Sequence, residues 1–279
     1  MQQSNPLSQF FRQPSIHIRL PSGGKFYPAG TLNMPPNGEL PVLPMTAVDE
    51  ITYRTPDALF NGSAIVSVIQ SCVPSIRNAW SMPSADIDAV LVAIRIASFG
   101  HGMDMTTMCP KCQHSEDITV DLRQVNDKIQ PGDYDKQLTV GNLDFYFRPL
   151  SYTEINQNNQ AQFEQQQALR MMSDDAVEET VKLEQLKKSM QVINGLTIKT
   201  VAQSISAIKT PDALVSEQSY ILEFLNNCDS KLFSQIKDQV ITLKQSTELK
   251  PLDLKCSECQ NEYAQSFTLD MSSFFENAS

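Results

Sequence analysis

Two Cys-x-x-Cys pairs set the tightest limit on how this chain can fold. Cys109 and Cys112 lie near the middle of the 279 residues, and Cys256 and Cys259 lie near the end. Each pair reads as a knuckle, a tight turn between short strands that aims two thiolates at one metal from one side. One knuckle supplies half of a tetrahedral shell, and two make a closed four-thiolate site with no position left for water. The separation within each pair is that of metal ligands rather than of a disulfide. The long stretch between Cys112 and Cys256 does not forbid a shared ion, because closure cost grows slowly with loop length. A folded insert also brings its own ends together. We therefore expect Cys109, Cys112, Cys256 and Cys259 to bind one structural Zn2+ in a split zinc ribbon, iron being the other metal that such a set admits.

Rival uses of the cysteines fit less well. A redox pair stands at a helix start after a strand, whereas polar residues and a strand follow each pair here. A catalytic zinc needs an open coordination position and a nearby base. His114, two residues beyond Cys112, is a candidate substitute ligand, but four thiolates already fill the shell and leave it as an exposed loop residue. Cys72 and Cys228 fall on apolar helical stretches and read as buried core thiols. Six reduced cysteines suit a cytoplasmic chain. The opening Met1-Gln2-Gln3-Ser4-Asn5-Pro6 lacks the basic segment and apolar core of a signal peptide. No apolar run approaches the roughly 18 residues of a spanning helix, so no membrane role is expected.

Hydrophobic patterning predicts an α+β chain. Ile16 and Ile18 alternate with polar residues, Leu20–Gly24 turns the chain, and Lys25–Pro28 reads as a short return strand. Residues 29–41 read as a loop. Thr46-Ala47-Val48-Asp49 is a capping box with Asp in place of Glu. Ser63 is expected to cap a helix running to Cys72. Ser84 or Asp86 is expected to start another that ends near Gly100 and is apolar nearly all round, hence buried. Gly141-Asn142 between Leu138–Val140 and Leu143–Phe147 predicts a hairpin. Ser151-Tyr152-Thr153-Glu154 is a second capping box. It opens a Gln-rich helical segment with a break near 172–174, a restart at Ser173 and a C-cap at Gly195. Within that segment Leu183, Leu186, Met190 and Ile193 form a stripe, a packing face or a docking face for another subunit. Thr197–Lys209 reads as extended, and helices follow around 219–225 and 232–243, the latter with Phe233, Ile236, Val240 and Leu243 on one face.

The two halves carry the same landmarks in the same order. Thr55-Pro56-Asp57-Ala58-Leu59 recurs as Thr210-Pro211-Asp212-Ala213-Leu214. A capping box precedes each copy. A helix and a lone cysteine follow, with Cys72 17 residues after Thr55 and Cys228 18 after Thr210. A second helix, a Cys-x-x-Cys pair and a strand come next, Ile118–Leu122 in one half and Phe267–Met271 in the other. We read a tandem duplication, 1–135 and 136–279, with residues 152–194 inserted in the second copy.

Net charge is −10, and an acidic surface repels phosphate backbones. Around the knuckles only Lys111 and Lys255 stand against Glu116, Asp117, Glu258 and Glu262, which disfavours the alternative of a zinc-ribbon nucleic-acid-binding or regulatory protein. The sequence holds no Gly-x-x-x-x-Gly-Lys-Ser/Thr loop, no Gly-x-Gly-x-x-Gly turn and no Gly-x-Ser-x-Gly elbow. The three histidines, His17, His101 and His114, form no triad or metal pattern. No catalytic or organic-cofactor-binding residue emerges, and a non-enzymatic role is expected.

One likeness remains. Leu20-Pro21-Ser22-Gly23-Gly24-Lys25-Phe26-Tyr27-Pro28, followed by Leu43-Pro44-Met45-Thr46-Ala47-Val48-Asp49-Glu50-Ile51, resembles the opening of a baseplate protein family of contractile-tailed, T-even-like bacteriophages, with the baseplate hub protein as its reference. Asp86–Arg95, then Gly100, then Cys109-Pro110-Lys111-Cys112, is similar to the family's central signature. The resemblance covers residues 14–125 closely and the rest more loosely. It implies a structural or assembly component of the tail baseplate that works by contact with other tail proteins in a hetero-oligomeric assembly. Assembly would take place in the host cytoplasm, with retention in the virion tail baseplate left open.

Overall fold

A computed structural model of the chain describes residues 5–55, 58, 60–171, 179–267, 269, 274 and 275. Contacts divide the chain into two units. Residues 1–131 join 248–279 in the first, and 132–247 form the second. The late knuckle clusters with the first unit.

The first unit begins with β1 (Ile16–Ile18), which pairs antiparallel with β2 (Leu40–Val42). Lys25–Pro28 is not the return strand. Residues 21–26 form turns in which Gly23 and Gly24 take positive φ, and the partner strand comes only after the Pro-rich loop. Asp86 holds this turn, its carboxylate accepting from the Ser22 N–H at 2.8 Å and the Ser22 hydroxyl at 2.5 Å. Asp86 is fully buried, and burial pushes its carboxyl up despite the Ser22 hydrogen bonds.

Helix α1 (Ala47–Tyr53) opens with the expected box. The Asp49 N–H donates to Thr46 Oγ1 at 3.2 Å, and the Thr46 N–H donates to Asp49 Oδ2 at 2.7 Å. Arg12 locks the box from outside, donating to Asp49 at 3.2 Å, to the Pro44 carbonyl at 2.6 Å and to the Ser71 carbonyl at 2.9 Å. Helix α2 (Ser63–Cys72) is capped not by Ser63 but by Gly62 in the left-handed region at φ +78°. Helix α3 (Ser84–Phe99) ends at Gly100 and is buried at Ala85–Ile87 and Ala89–Arg95, as an all-round apolar helix requires. It packs against α2, β1 and β2. A ribbon follows, β3 (Gly102–Met108) and β4 (Ser115–Asp121), running into α4 (Leu122–Asp127).

The second unit is a four-stranded antiparallel sheet covered by helices. Its strands are β5 (Leu138–Val140), β6 (Leu143–Phe147), β7 (Ile205–Lys209) and β8 (Leu214–Val215), in spatial order β5-β6-β7-β8. The β5–β6 turn falls at Gly141-Asn142 as expected, with Gly141 at φ +61°. The Ser151 box opens α5 (Tyr152–Met171), and Arg148 grips Glu154 at 2.6 and 3.0 Å, much as Arg12 grips Asp49. The expected break and the restart at Ser173 lie outside the described residues. Helix α6 (Glu179–Gln203) runs through Gly195 without stopping, so the extended piece shrinks to β7. Along α6, Leu186, Met190 and Ile193 are exposed, so the stripe is not buried as a packing face; the side chain of Leu183 is not described.

Helices α7 (Gln218–Asn227) and α8 (Ser230–Thr247) complete the unit. Ile236 and Leu243 of α8 enter a core with Phe145, Phe147, Ile205 and Ile221, and Phe233 and Val240 pack on its margin. Cys72 is fully buried, whereas Cys228 is half-buried at the end of α7 rather than in the core.

The chain then returns to the first unit as a second ribbon, β9 (Leu252–Lys255) and β10 (Glu262–Gln265). The strand expected at Phe267–Met271 lies largely outside the described residues, with 268, 270 and 271 among those not described; Phe267 is buried. Phe274 and Phe275 close the first unit. Phe275 meets Tyr53 edge-on at 4.7 Å, and Arg95 lies 5.7 Å from the Phe274 ring centroid.

Candidate metal centre

Each Cys-x-x-Cys pair tips one ribbon, and the two tips have the same backbone. At the first, the Cys109 N–H donates to the His114 carbonyl at 2.9 Å and the Gln113 N–H to the Cys109 carbonyl at 2.9 Å. At the second, the Cys256 N–H donates to the Asn261 carbonyl at 2.9 Å and the Gln260 N–H to the Cys256 carbonyl at 3.0 Å. Closing so tight a turn needs a residue in the left-handed region. Gln113 supplies it at φ 56° and Gln260 at φ 57°. Side chains other than Gly, Asn or Asp rarely adopt that conformation, so its repetition marks one local design used twice.

The four sulfurs come together. Cys109 Sγ lies 3.7 Å from Cys259 Sγ, and Cys112 Sγ lies 3.6 Å from Cys256 Sγ. All four lie within 4.8 Å of one another. Around zinc, with metal–sulfur bonds of about 2.3 Å, the edges of a thiolate tetrahedron measure about 3.8 Å. Two of the four cross-knuckle edges already match, and the widest separation has about 1 Å to close. The donor set and its spacing therefore fit a four-thiolate ion. Cys109 and Cys256, the first cysteine of each pair, are buried; Cys112 is exposed and Cys259 half-exposed. His114 is exposed and stands outside the cluster.

Hydrogen bonding and crowding set the protonation of Cys109 and Cys112. Backbone N–H groups, that of Cys112 foremost, draw the Cys109 thiol down to about 6. At Cys112 the His114 N–H also favours the thiolate, but the sulfurs of Cys259, Cys256 and Cys109, together with burial, outweigh it and push the thiol up to about 12. Four sulfurs this close cannot all carry negative charge without a cation among them.

Two polar contacts stitch the ribbons beside the sulfurs. The hydroxyls of Thr107 and Tyr263 lie 3.1 Å apart, and the Ser257 N–H donates to Glu116 at 3.4 Å. Sequence reading missed both, because nothing local pairs residues so distant along the chain. The glutamines of the two turns were legible in the shared Cys-x-x-Cys-Gln pattern. Basic residues near the knuckles are confined to Lys111 and Lys255, beside Glu116, Asp117, Glu258 and Glu262. Among the described residues, no helix is long and apolar enough to cross a membrane.

No curated protein and no solved structure matches this chain. A family model described as T4 bacteriophage base plate protein matches residues 14–276, a span that takes in both knuckles, both units and the turn that Asp86 holds. On a match over nearly its whole length, the chain belongs to the T4 bacteriophage base plate protein family.

Proposed function

We propose that this chain is a non-enzymatic structural subunit or assembly factor of a phage tail baseplate, and that Cys109, Cys112, Cys256 and Cys259 bind one structural zinc ion. The convergence of the four sulfurs within 4.8 Å carries the metal assignment, and the family match carries the baseplate role. Four thiolates fill a tetrahedral shell, so the ion serves as a fastener rather than a Lewis acid. It ties the middle of the chain to its end, which suits a part that must keep its shape under load. The partners on this reading are other tail and baseplate proteins, met in the host cytoplasm during assembly. The exposed Phe163, Leu186, Met190 and Ile193 on the α5–α6 hairpin support that hairpin as one surface that meets them.

A tandem duplication accounts for the doubled local design. Each half has an arginine gripping the acid of a capping box, a helix ending at or beside a lone cysteine, a longer helix and a knuckle. Residues 152–194, which take in α5 and the first part of α6, are then the insertion in the second copy.

Metal analysis of the purified full chain tests the metal assignment. One equivalent of zinc per chain is expected, because a structural site is nearly full. Less than about half an equivalent, or a Cys256→Ser variant with unchanged thermal stability, would overturn the assignment.

A further inference from the structure

The metal reading just given has a thermodynamic consequence for the second unit, and the inference rests on that reading. Cys112 and Cys256 lie 144 positions apart, and all of residues 132–247 lie between them. Where the two segments of the first unit part in the metal-free chain, an ion held by both knuckles closes a ring of chain that passes through the second unit.

The second unit brings its own ends together. Gly132 takes φ +73°, and a Cβ there would lie 2.7 Å from Thr247 Cγ2 and 2.8 Å from Tyr134 Cε2. Thr247 is buried, and its side chain hydrogen-bonds the Tyr134 hydroxyl. The first and last residues of the unit thus lie against each other, in a contact that only glycine fits. While the unit is folded, the ring is effectively short, with about 20 residues from Cys112 to Gly132 and about nine from Thr247 to Cys256. While the unit is unfolded, the ring has its full length.

We propose that folding of residues 132–247 and metal binding by the four cysteines are coupled through this shared ring, each strengthening the other about tenfold. The factor follows from closure entropy. Shortening a loop from 144 residues to about 29 changes the closure probability by their ratio to the power 3/2, roughly tenfold. Linkage makes the effect reciprocal. Metal tightens the fold of a unit that contains none of its ligands, and loosening that unit weakens a site outside it. The coupling passes through chain connectivity, so its size depends on where Gly132 and Thr247 meet and not on the chemistry of the ion.

Amide hydrogen exchange on the full-length protein tests the coupling. Zinc stoichiometry is measured first, and exchange is then followed with zinc bound and after removal by EDTA. On zinc removal, protection of the slowest amides in β6 and β7 should fall about tenfold. A second arm titrates zinc against a chromophoric chelator. Gly132→Val, which forces the two ends apart, should bind one equivalent about tenfold more weakly than the parent.

Unchanged protection in a chain that had bound its zinc would overturn the coupling and leave the metal site standing. So would unchanged zinc affinity in a Gly132→Val chain whose 132–247 amides exchange faster. A parent chain that binds no zinc overturns the metal reading, and the coupling falls with it; the initial stoichiometry distinguishes that failure from the others. The exchange arm uses the unaltered protein, so the test survives a variant that fails to fold.

Discussion

Replacing Asp88 with Asn should stabilise the protein at neutral pH and have almost no effect near pH 4. Asp88 sits on α3 and is half-buried. Burial first, and the charge of Glu248 second, push its carboxyl up from 3.8 to about 6. The folded chain therefore binds more protons than the unfolded chain between those values. Stability falls as pH rises through that window and stays lower above it. Asn mimics the protonated acid and removes the penalty. A gap of about two pH units sets a ceiling of about 3 kcal/mol, and partial exposure of the carboxylate brings the expected gain to about 1–3 kcal/mol. The single tryptophan, Trp80, lies in the same unit as Asp88 and gives a local signal for urea unfolding. Parent and variant are compared at about pH 4 and about pH 7.5, so that acid effects common to both cancel. An equal gain at both pH values, or a loss at neutral pH, would refute the reasoning.

Three further outcomes are expected. Arg12→Met removes the guanidinium that donates to Asp49 and to the Pro44 and Ser71 carbonyls, and thermal melts should show a loss of about 2–4 kcal/mol from the first unit. Phe274→Ala empties a fully buried position beside Phe275 and Arg95; about 3–5 kcal/mol should be lost in urea unfolding, and a loss below about 1 kcal/mol would show that the last residues do not anchor the unit. Tyr263→Phe removes only the hydroxyl that meets Thr107, so it should cost about 1 kcal/mol in the same assay while zinc content stays at one equivalent.

Features fixed by local chemistry could be read from the amino-acid order. Thr46 and Ser151 both form the boxes their spacing promised, since a capping box is settled within four residues. The Gly141-Asn142 turn and the buried helix ending at Gly100 followed from turn chemistry and from an apolar surface all round. Gly195 misled because glycine tolerates a helix interior at a cost of about 1 kcal/mol, and α6 is long enough to absorb that. Ser63 misled because a left-handed Gly62 ends the preceding turn one residue earlier. Lys25–Pro28 misled because the turn leading into it is held at Ser22 by Asp86, distant in sequence and invisible to any local pattern. The meeting of the cysteines was legible because thiolate pairs have few other uses in a chain of this kind. Their polar neighbours, Thr107 and Tyr263, follow only from the folded ribbons.

The order in which the first unit is made has its own consequence. Its opening stretch leaves the ribosome long before its closing ribbon, because the whole of residues 132–247 is translated in between. At about 5–20 residues per second, the 144 positions from Cys112 to Cys256 take on the order of 10–30 s to synthesise. Throughout that interval the nascent protein carries Cys109 and Cys112 without the second pair, while residues 132–247 are being made. On the proposed metal reading, a four-thiolate site can form only after Cys256 and Cys259 join the cysteines made 144 positions earlier.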